Sequence, residues 1–214
     1  MMIHRRFLLL FALCGTALAG DVPGSIPLPK PVTTGGKPLM QALAERKSTR
    51  EFSAQKLPPQ VLSNLLWAAY GINRPDGRRT APSANNRQTV DLYVTLPEGV
   101  YLYQPKEHRL DLVAAGDHRA AAGVQDFVGG AALNLLYVAD YAKMGSTAAE
   151  DKLLYAAAET GFVGQNVYLF CASEGLAAVV RAMVRRDELG KILKLRPEQK
   201  IMLAQTVGYP KGAQ

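Results

Sequence analysis

The chain has 214 residues, of which 48% are hydrophobic and 20% charged, a composition typical of a globular protein with one sizeable core. Its formal net charge of +7 is a modest excess, and aromatic residues make up only 7% of the chain and do not interleave with the scattered lysines and arginines. Both observations exclude a nucleic-acid surface built from a basic patch and stacking rings, so we expect no nucleic-acid partner.

The start of the chain predicts a signal peptide. Arg5 and Arg6 form a basic region, residues 7–13 an apolar run, and residues 17–19 a small-x-small cleavage site. The apolar run is shorter than the roughly 20 residues that a membrane-spanning helix needs. We therefore expect cleavage near Ala19, a periplasmic location and no stable membrane span. The arginine pair faintly resembles a twin-arginine export signal, but its spacing fits ordinary secretion better.

Two helices are predicted before the first polar loop. Residues 20–38 contain five prolines and four glycines, which predicts an extended arm rather than a helix. Apolar residues then recur at helical spacing from Leu39 and lead into the segment RKSTREF at residues 46–52. A Leu-Pro-Pro sequence at residues 57–59 starts a second helix, which we expect to end at Gly71.

The rest of the chain alternates predicted strands with two helices. Residues 72–88 form a polar loop, the kind of segment in which a rigid scaffold presents ligand-binding groups. A long helix is predicted over residues 147–174, with Ser146 or Thr147 as its N-cap, and a short one over residues 186–193. The predicted strands are 89–96, 99–104, 108–113, 131–138, 175–184 and 201–209, with a hairpin between the second and third.

This pattern predicts a single α+β domain with a mostly antiparallel central sheet, flanking helices and a long central helix. The apolar run at residues 131–138 suits a strand buried on both faces. We divide the chain into a signal peptide (1–19), a Pro/Gly-rich arm (20–38) and one domain (39–214). Cys171, the one cysteine beyond the signal peptide, is interpreted as a structural thiol without a disulfide.

The long helix carries small residues on one face. Ala157, Gly161 and Gly164 follow one another at spacings of four and three. A glycine inside a helix costs about 1 kcal/mol relative to alanine, so two of them indicate a packing or binding demand. We expect a neighbouring backbone to approach the helix closely there.

Residues for self-sufficient catalysis are scarce. His108 and His118 lie in separate contexts without a carboxylate or thiol at ligand spacing, so we expect no metal site. No G-x-S-x-G, P-loop or G-x-G-x-x-G motif follows a predicted strand, which argues against hydrolase, nucleotide triphosphatase and Rossmann-type functions. The chain therefore either binds a ligand or takes its reactivity from a cofactor.

The segment RKSTREF admits two interpretations. A basic helix end is commonly solvated and interacts favourably with the helix dipole, by about 0.3 to 1 kcal/mol. Alternatively, Arg46 and Arg50, one helical turn apart, form an anion socket with the Ser48 hydroxyl, because guanidinium groups bind phosphate through paired hydrogen bonds. Such a socket needs partners, and the polar loop offers hydroxyl and amide groups. They belong to Ser83, Asn85, Asn86 and Gln88.

Four motifs in this order resemble the FMN-dependent nitroreductases. "ALAERKSTREF" is similar to the family's opening Arg-x-Ser-x-Arg signature, and "APSANNRQ" to its Pro-Ser-x-x-Asn-x-Gln loop. "GQNVYLFCASEGLAA" resembles its cofactor-side helix, and "TVGYP" its last core strand. The preceding "SIPLPKPVTTGGKPL" is most similar to the branch of SagB-type dehydrogenases. Together the likeness covers about residues 26–210.

The resemblance implies an α+β fold that forms a homodimer through long helices and holds FMN in two clefts at the subunit interface. Arg46, Ser48 and Arg50 match the family's contacts to the FMN phosphate and ribityl chain. Asn86 matches the amide beside the isoalloxazine ring. Lys47 is a further cation of the same segment and, with Arg50, a candidate to steady negative charge on a reduced flavin.

Five more positions complete the expected cofactor contacts. Ser83 and Gln88 flank the amide in the polar loop. Backbone donors near Val180 and Arg181 match the contact to flavin N5, although these two residues also fit a plain strand end. Lys211 is the only candidate for the family's basic tail. The chain departs from the family pattern at Arg181-Ala182, and no Pro-Trp follows Gln88.

The resemblance thus implies an FMN-dependent oxidoreductase that passes a hydride through flavin N5 to or from a small organic substrate. A nitroreductase, a quinone reductase and a SagB-type dehydrogenase all remain open, with an unknown electron donor or acceptor. No side chain is assigned a catalytic proton transfer. The alternatives are an exported flavin- or small-ligand-binding module without turnover, and a purely structural envelope protein.

Overall fold

The computed structural model describes residues 24–212, and the predicted signal peptide at residues 1–19 lies outside them. One seven-stranded sheet runs through the molecule in the order β1-β4-β3-β2-β5-β7-β6, with every neighbouring pair antiparallel. The strands are β1 (Ile26–Pro27), β2 (Val90–Leu96), β3 (Gly99–Gln104), β4 (Arg109–Ala115), β5 (Leu133–Asp140), β6 (Ala177–Arg181) and β7 (Gln199–Gly208). The predicted α+β class with a mostly antiparallel sheet is confirmed.

Four α-helices flank this sheet. They are α1 (Leu39–Glu45), α2 (Pro59–Tyr70), α3 (Ala149–Glu174) and α4 (Arg186–Ile192). α2 begins with proline in its first turn and is capped at Gly71, as its sequence predicts. α3 is the long central helix and ends where Gly175 adopts the left-handed conformation. Within residues 24–212, no helix combines the length and hydropathy needed to cross a bilayer.

The centre of the sheet is the apolar strand β5. All eight of its residues are buried, which confirms the prediction of a strand covered on both faces. On one face, α2 and α3 pack over β2, β5 and β7, with Leu65, Leu66 and Val163 at 0% exposure in the core. On the other face, α4 and the short turns between β4 and β5 form a second core around Leu136 and Leu189.

The arm enters the fold at the edge of the sheet. Residues 24–38 contain no helix, and Ile26 and Pro27 pair with β4 as its outer neighbour. The backbone N–H of Val32 donates a hydrogen bond to the side chain of Asn64 in α2, and that of Lys37 donates to Ser173 in α3. These bonds lay the arm across both large helices.

Two sequence expectations about α3 need correction. Its N-cap is Ala148, not Ser146 or Thr147, because the Thr147 hydroxyl donates to the carbonyl of Met144 and accepts from Arg87 instead of capping the helix. The second concerns Gly164. A side chain there would meet side chains of β5, β6 and β7 at ordinary contact distances, rather than a closely approaching backbone.

Candidate functional site

The segment after α1 is extended rather than helical. α1 ends at Glu45, and Arg46 adopts φ −58° and ψ 121°. Farther along, the backbone N–H of Thr49 donates a 2.9 Å hydrogen bond to the carbonyl of Ala178 in β6. The expected helical turn between Arg46 and Arg50 is therefore wrong, because contact with β6 replaces bonding within a helix.

Tyr168 of α3 organises this first half of the site. Its hydroxyl lies 2.8 Å from Ser48 Oγ and accepts a 2.8 Å hydrogen bond from the backbone N–H of Val180. The guanidinium carbon of Arg46 lies 5.2 Å from the centre of the Tyr168 ring, within the range of a cation–π contact. Three predicted site residues, Arg46, Ser48 and Val180, thus meet on one aromatic side chain.

The end of β7 lies beside the same segment. Phe52 and Pro210 form an antiparallel bridge, and the backbone N–H of Lys211 donates to the carbonyl of Glu51. Within residues 24–212, no carboxylate oxygen lies within 4.0 Å of any predicted site cation of this region. These cations are Arg46, Lys47, Arg50 and Lys211. Their positive charge is available to an anion.

A hollow of about 520 Å³ adjoins this group of residues. It is bounded by the end of α3 and the start of β6 and is lined by Lys47, Thr49 and Tyr168. Its volume falls within the range of small-molecule pockets. Buried Cys171 also lies at the wall, and burial raises the pKa of its thiol, which fits the structural role predicted for it.

The side chain of Arg181 points away from this group. Its neighbour Val180 faces α3, where Val180 Cγ2 would lie 3.6 Å from a Cβ built on Gly164. Because successive strand residues alternate, Arg181 faces the opposite side of the sheet. There it is buried and donates three hydrogen bonds. Nη1 donates to Ala122 O at 2.9 Å, Nη2 to Asn134 Oδ1 at 3.0 Å and Nε to Thr206 Oγ1 at 3.1 Å.

Burial lowers the pKa of Arg181 to about 10, so its guanidinium stays charged at neutral pH. Its side chain is fully engaged with neighbours on that face of the sheet. Of Arg181, only the backbone N–H therefore remains a candidate for the flavin N5 contact that the family resemblance implies. Residue type alone does not show which face of a strand a side chain takes.

Glu159 of α3 organises the polar loop, which forms the second half of the site. Ser83 Oγ and Thr89 Oγ1 donate to Glu159 Oε2 at 2.7 and 2.8 Å, and the backbone N–H of Val90 donates to Oε1 at 3.2 Å. The hydroxyl of Tyr70 also donates to Oε1. Glu159 is only 3% exposed, so these four donors replace the hydrogen bonds to water that the carboxylate loses on burial.

The loop itself is held in an uncommon backbone conformation. Asn85, Asn86 and Gln88 have φ values of 53°, 53° and 50°, in the left-handed region that side-chain-bearing residues rarely adopt. The side chain of Gln88 accepts from Arg79 Nε at 2.9 Å and donates to Gly77 O and Asn86 Oδ1. Gln88 therefore shapes the loop, while Asn86 is exposed at the surface.

The two halves of the site do not meet within one chain. Arg46 and Ser48 gather at Tyr168, whereas Ser83 and Gln88 gather near Glu159. The two α3 residues are nine positions apart, which is about 13 Å along a helix and about half a turn around it. Between them lies the exposed face of α3, which bears Leu154, Phe162 and Gly161.

With this geometry in place, the chain can be compared with known proteins. The model of a family described as "Nitroreductase family" matches residues 43–209. The chain belongs to the nitroreductase family. It is therefore a nitroreductase-family oxidoreductase, and the resemblance read from its four motifs is confirmed at this level.

Individual relatives agree with the assignment. The chain is 33% identical over 168 residues to the Methanocaldococcus jannaschii protein named "Putative nitroreductase MJ1384", covering 74% of this chain and 85% of the relative. It is 44% identical in sequence to a "putative nitroreductase" from Ralstonia eutropha JMP134 whose crystal structure is known. The two structures match with a TM-score of 0.85 over 91% of this chain and 93% of that protein. Nitroreductase A from Vibrio parahaemolyticus, 22% identical with a TM-score of 0.61 and coverage of 81% and 68%, shares the fold.

Two residues that organise the site, Tyr168 and Glu159, were not predicted from the sequence. Tyr168 stood inside a quoted motif, but nothing in its spacing revealed contacts with Ser48 and Val180, which lie far from it in sequence. Glu159 was one acid among 18 without distinctive pairing. Its position on the buried side of the long helix was the one available signal, since a carboxylate on an apolar helix face must find donors.

Proposed function

We propose that this protein is an exported, periplasmic, FMN-dependent oxidoreductase that acts as a homodimer. It transfers a hydride to or from a small organic substrate, as a nitroreductase or quinone reductase or in the manner of SagB-type dehydrogenases. The observation that carries the proposal is the cluster of cations and hydroxyls around Tyr168, in which no cation has a carboxylate within 4.0 Å in the described chain. The periplasmic location rests on the predicted signal peptide alone.

The donor set suits the chemistry of flavin mononucleotide. A phosphate needs charge-assisted hydrogen bonds, and Arg46, Arg50 and Lys211 supply the cations while Ser48 supplies a hydroxyl. The heteroaromatic ring needs groups that donate and accept along its edge, a role for the exposed amide of Asn86. Guanidinium groups without carboxylate partners are common at solvated surfaces, but here Arg46 and Ser48 meet at Tyr168, and Tyr168 and Lys47 line a hollow of ligand size.

Bound flavin would supply the hydride chemistry, because its ring accepts and releases electron pairs. The chain's own residues then bind the flavin and orient it. Arg46 is steadied on the Tyr168 ring, and Thr49 is tied to β6, so the phosphate-binding donors are fixed before a ligand arrives. Lys47 lines the hollow and Arg50 follows in the same segment, so both add positive charge that favours an electron-rich ligand.

The homodimer proposal rests on α3. Its exposed face carries large apolar side chains, with Leu154 63% and Phe162 47% exposed, and the small residues Ala157 and Gly161 beside them. An apolar face of this kind on a long helix is typical of an interface. Tyr168 is only partly buried at the edge of this face, so a second copy packed there would lie beside the Tyr168 half of the site.

A binding measurement tests the cofactor. The purified chain is expected to be yellow or to take up FMN stoichiometrically, followed by flavin fluorescence quenching. Arg46→Gln and Arg50→Gln should each weaken FMN binding about tenfold, since a hydrogen bond to a charged group is worth about 1.5 to 3 kcal/mol. Arg185→Gln, which removes an exposed arginine from the far face, should leave the affinity unchanged. A colourless chain that binds no FMN contradicts the proposal.

Turnover separates the enzyme from a flavin-binding module. The loaded protein should be reduced by a nicotinamide or another donor and reoxidised by a quinone, a nitroaromatic or a thiazoline peptide, with donor consumption followed separately. Flavin that binds but neither accepts nor passes electrons in either direction would favour the module. The purely structural alternative predicts that Arg46→Gln and Asn86→Ala alter no ligand affinity.

A further inference from the structure

A second basic hollow contains three arginines that have no role in the proposed cofactor site. The polar loop between α2 and β2 encloses about 560 Å³, and its walls combine guanidinium, hydroxyl and amide groups. They belong to Arg74, Arg78, Arg79, Ser83, Asn85 and Asn86. Three arginines facing one ligand-sized hollow repel one another and attract an anion.

Arg79 is fixed as the floor of this hollow. Its Nε donates to Gln88 Oε1 at 2.9 Å, and its guanidinium carbon lies 4.3 Å from the centre of the Tyr70 ring. Burial lowers the pKa of Arg79, which means that the fold holds this charge against a desolvation penalty. No carboxylate oxygen lies within 4.0 Å of it in residues 24–212.

The two other arginines stand at the rim. Arg74 donates from Nε to Asn73 Oδ1 and from Nη2 to the carbonyl of Arg79, so it is held by neutral acceptors. Arg78 lies 3.4 Å from Asp76, an exposed ion pair of the kind that contributes little. The hollow thus has one carboxylate for three guanidinium groups and keeps a net positive charge.

The wall opposite the arginines is the strained part of the loop. Asn85 and Asn86 both have φ near 53°, and residues held in that region cost of order 1 kcal/mol or more each. The buried Glu159 contacts described above hold this conformation in place. The consequence is that two exposed amides are presented to the same hollow as three cations.

We propose that this hollow binds the oxyanion group, a carboxylate or a phosphate, of an acidic organic substrate. The proposal deepens the proposed function and rests on it, because Asn86 is shared with the expected flavin site. The anionic group sits among the arginines, so the rest of the substrate lies along the amide wall, beside the Asn86 amide expected to contact the flavin ring. The Tyr168 cluster serves the cofactor phosphate, and the arginine hollow serves the substrate.

Matched probes test the inference by calorimetry on the full chain saturated with FMN. The carboxylate 4-nitrobenzoate is compared with neutral 4-nitrobenzamide, and 4-nitrophenyl phosphate tests the phosphate. At least one oxyanion should bind ten times more tightly than the amide, and which one does identifies the group. Arg74→Gln and Arg78→Gln should each reduce that preference several-fold, and the double variant should abolish it.

Controls separate the hollow from general charge and from the cofactor. Arg185→Gln lowers net charge equally but should keep the preference, and Arg74→Lys with Arg78→Lys should keep most of it. FMN affinity should be the same in the Arg74→Gln/Arg78→Gln variant as in the wild type. Equal affinity for all three probes, or a preference that survives the double variant, overturns the inference. If the chain binds no FMN, the same titration of the FMN-free protein still tests the hollow.

Discussion

Ser83 Oγ donates a 2.7 Å hydrogen bond to Glu159 Oε2, and this bond fastens the polar loop to the long helix. The same serine oxygen accepts the backbone N–H of Gln88 at 2.8 Å, so the carboxylate holds both ends of the strained turn. No cation lies within 4.0 Å of Glu159 in the described residues. The carboxylate accepts hydrogen bonds from four donors, two of them in or beside the loop, which makes Glu159 a positioning residue for the loop.

Glu159→Gln is expected to lower the free energy of unfolding by about 1 to 3 kcal/mol, because one of two buried acceptor oxygens becomes a donor facing other donors. Urea unfolding measures the change, and limited proteolysis should cut the loop at residues 83–88 faster. Glu174→Gln, an exposed change on the same helix, is the control. Equal stability of the Glu159→Gln variant and the wild type would show that the loop does not depend on this carboxylate.

Tyr168→Phe tests the other half of the site. The change removes the hydroxyl that accepts the Val180 N–H and contacts Ser48, while the ring stays in place under Arg46. We expect a loss of about 1 kcal/mol in the free energy of unfolding and weaker FMN binding, because Ser48 loses its anchor.

Urea unfolding measures the change in stability, and fluorescence titration measures the change in FMN affinity. Tyr155→Phe, at an exposed position of the same helix, should change neither of them. A Tyr168→Phe variant that loses stability but binds FMN as well as the wild type would limit Tyr168 to a structural role.

The fold was predictable where a pattern of hydrophobic residues has one interpretation. The bounds of β3 and the caps of α2 follow from the sequence because alternation, proline and glycine act locally. The end of α1 was missed because the bond from Thr49 to Ala178 joins segments far apart in sequence. A cluster of three cations and a serine can be read from sequence, but its geometry depends on which distant strand the segment meets.

The site was predictable by residue type and not by arrangement. Arg46 and Ser48 do meet at Tyr168 and Lys211 lies beside Glu51, whereas Arg181 turned to the other side of the sheet and Gln88 was engaged within its own loop. Both outcomes depend on side-chain direction, which periodicity gives for a regular strand but not for a loop with positive φ angles.

Gly161 tests the proposed dimer interface. A Cβ built there meets no atom within 4 Å in the single chain, so Gly161→Ala should stabilise an isolated helix by about 1 kcal/mol. If a second copy packs closely on this face, Gly161→Leu should instead weaken association at least tenfold. Sedimentation over a concentration series measures this.

Gly190→Ala in α4, where a Cβ also meets nothing within 4 Å, controls for helix propensity and should leave association unchanged. A Gly161→Leu protein that associates like the wild type would place the interface elsewhere on the molecule.

His108 gives the fold a pH dependence whose sign can be worked out. Its Nδ1 lies 2.9 Å from the Tyr103 hydroxyl and its Nε2 lies 2.7 Å from Ser63 Oγ, which itself donates to the carbonyl of Pro29. Burial lowers the pKa of His108 below the ordinary histidine value. At a pH between the two values the unfolded chain therefore binds more protons than the folded one, so stability rises with pH.

The stabilising contribution of neutral His108 is present in full above the ordinary pKa of about 6.5 and is lost as the pH falls toward the lowered folded pKa. Stability measured by urea unfolding should decline from pH 7 to pH 5 in the wild type, and His108→Gln should flatten that slope even if it lowers stability throughout. His118→Gln changes the other described histidine and should keep the wild-type slope. A His108→Gln protein with an unchanged slope would assign the pH dependence to the carboxylates instead, since they also titrate toward pH 5.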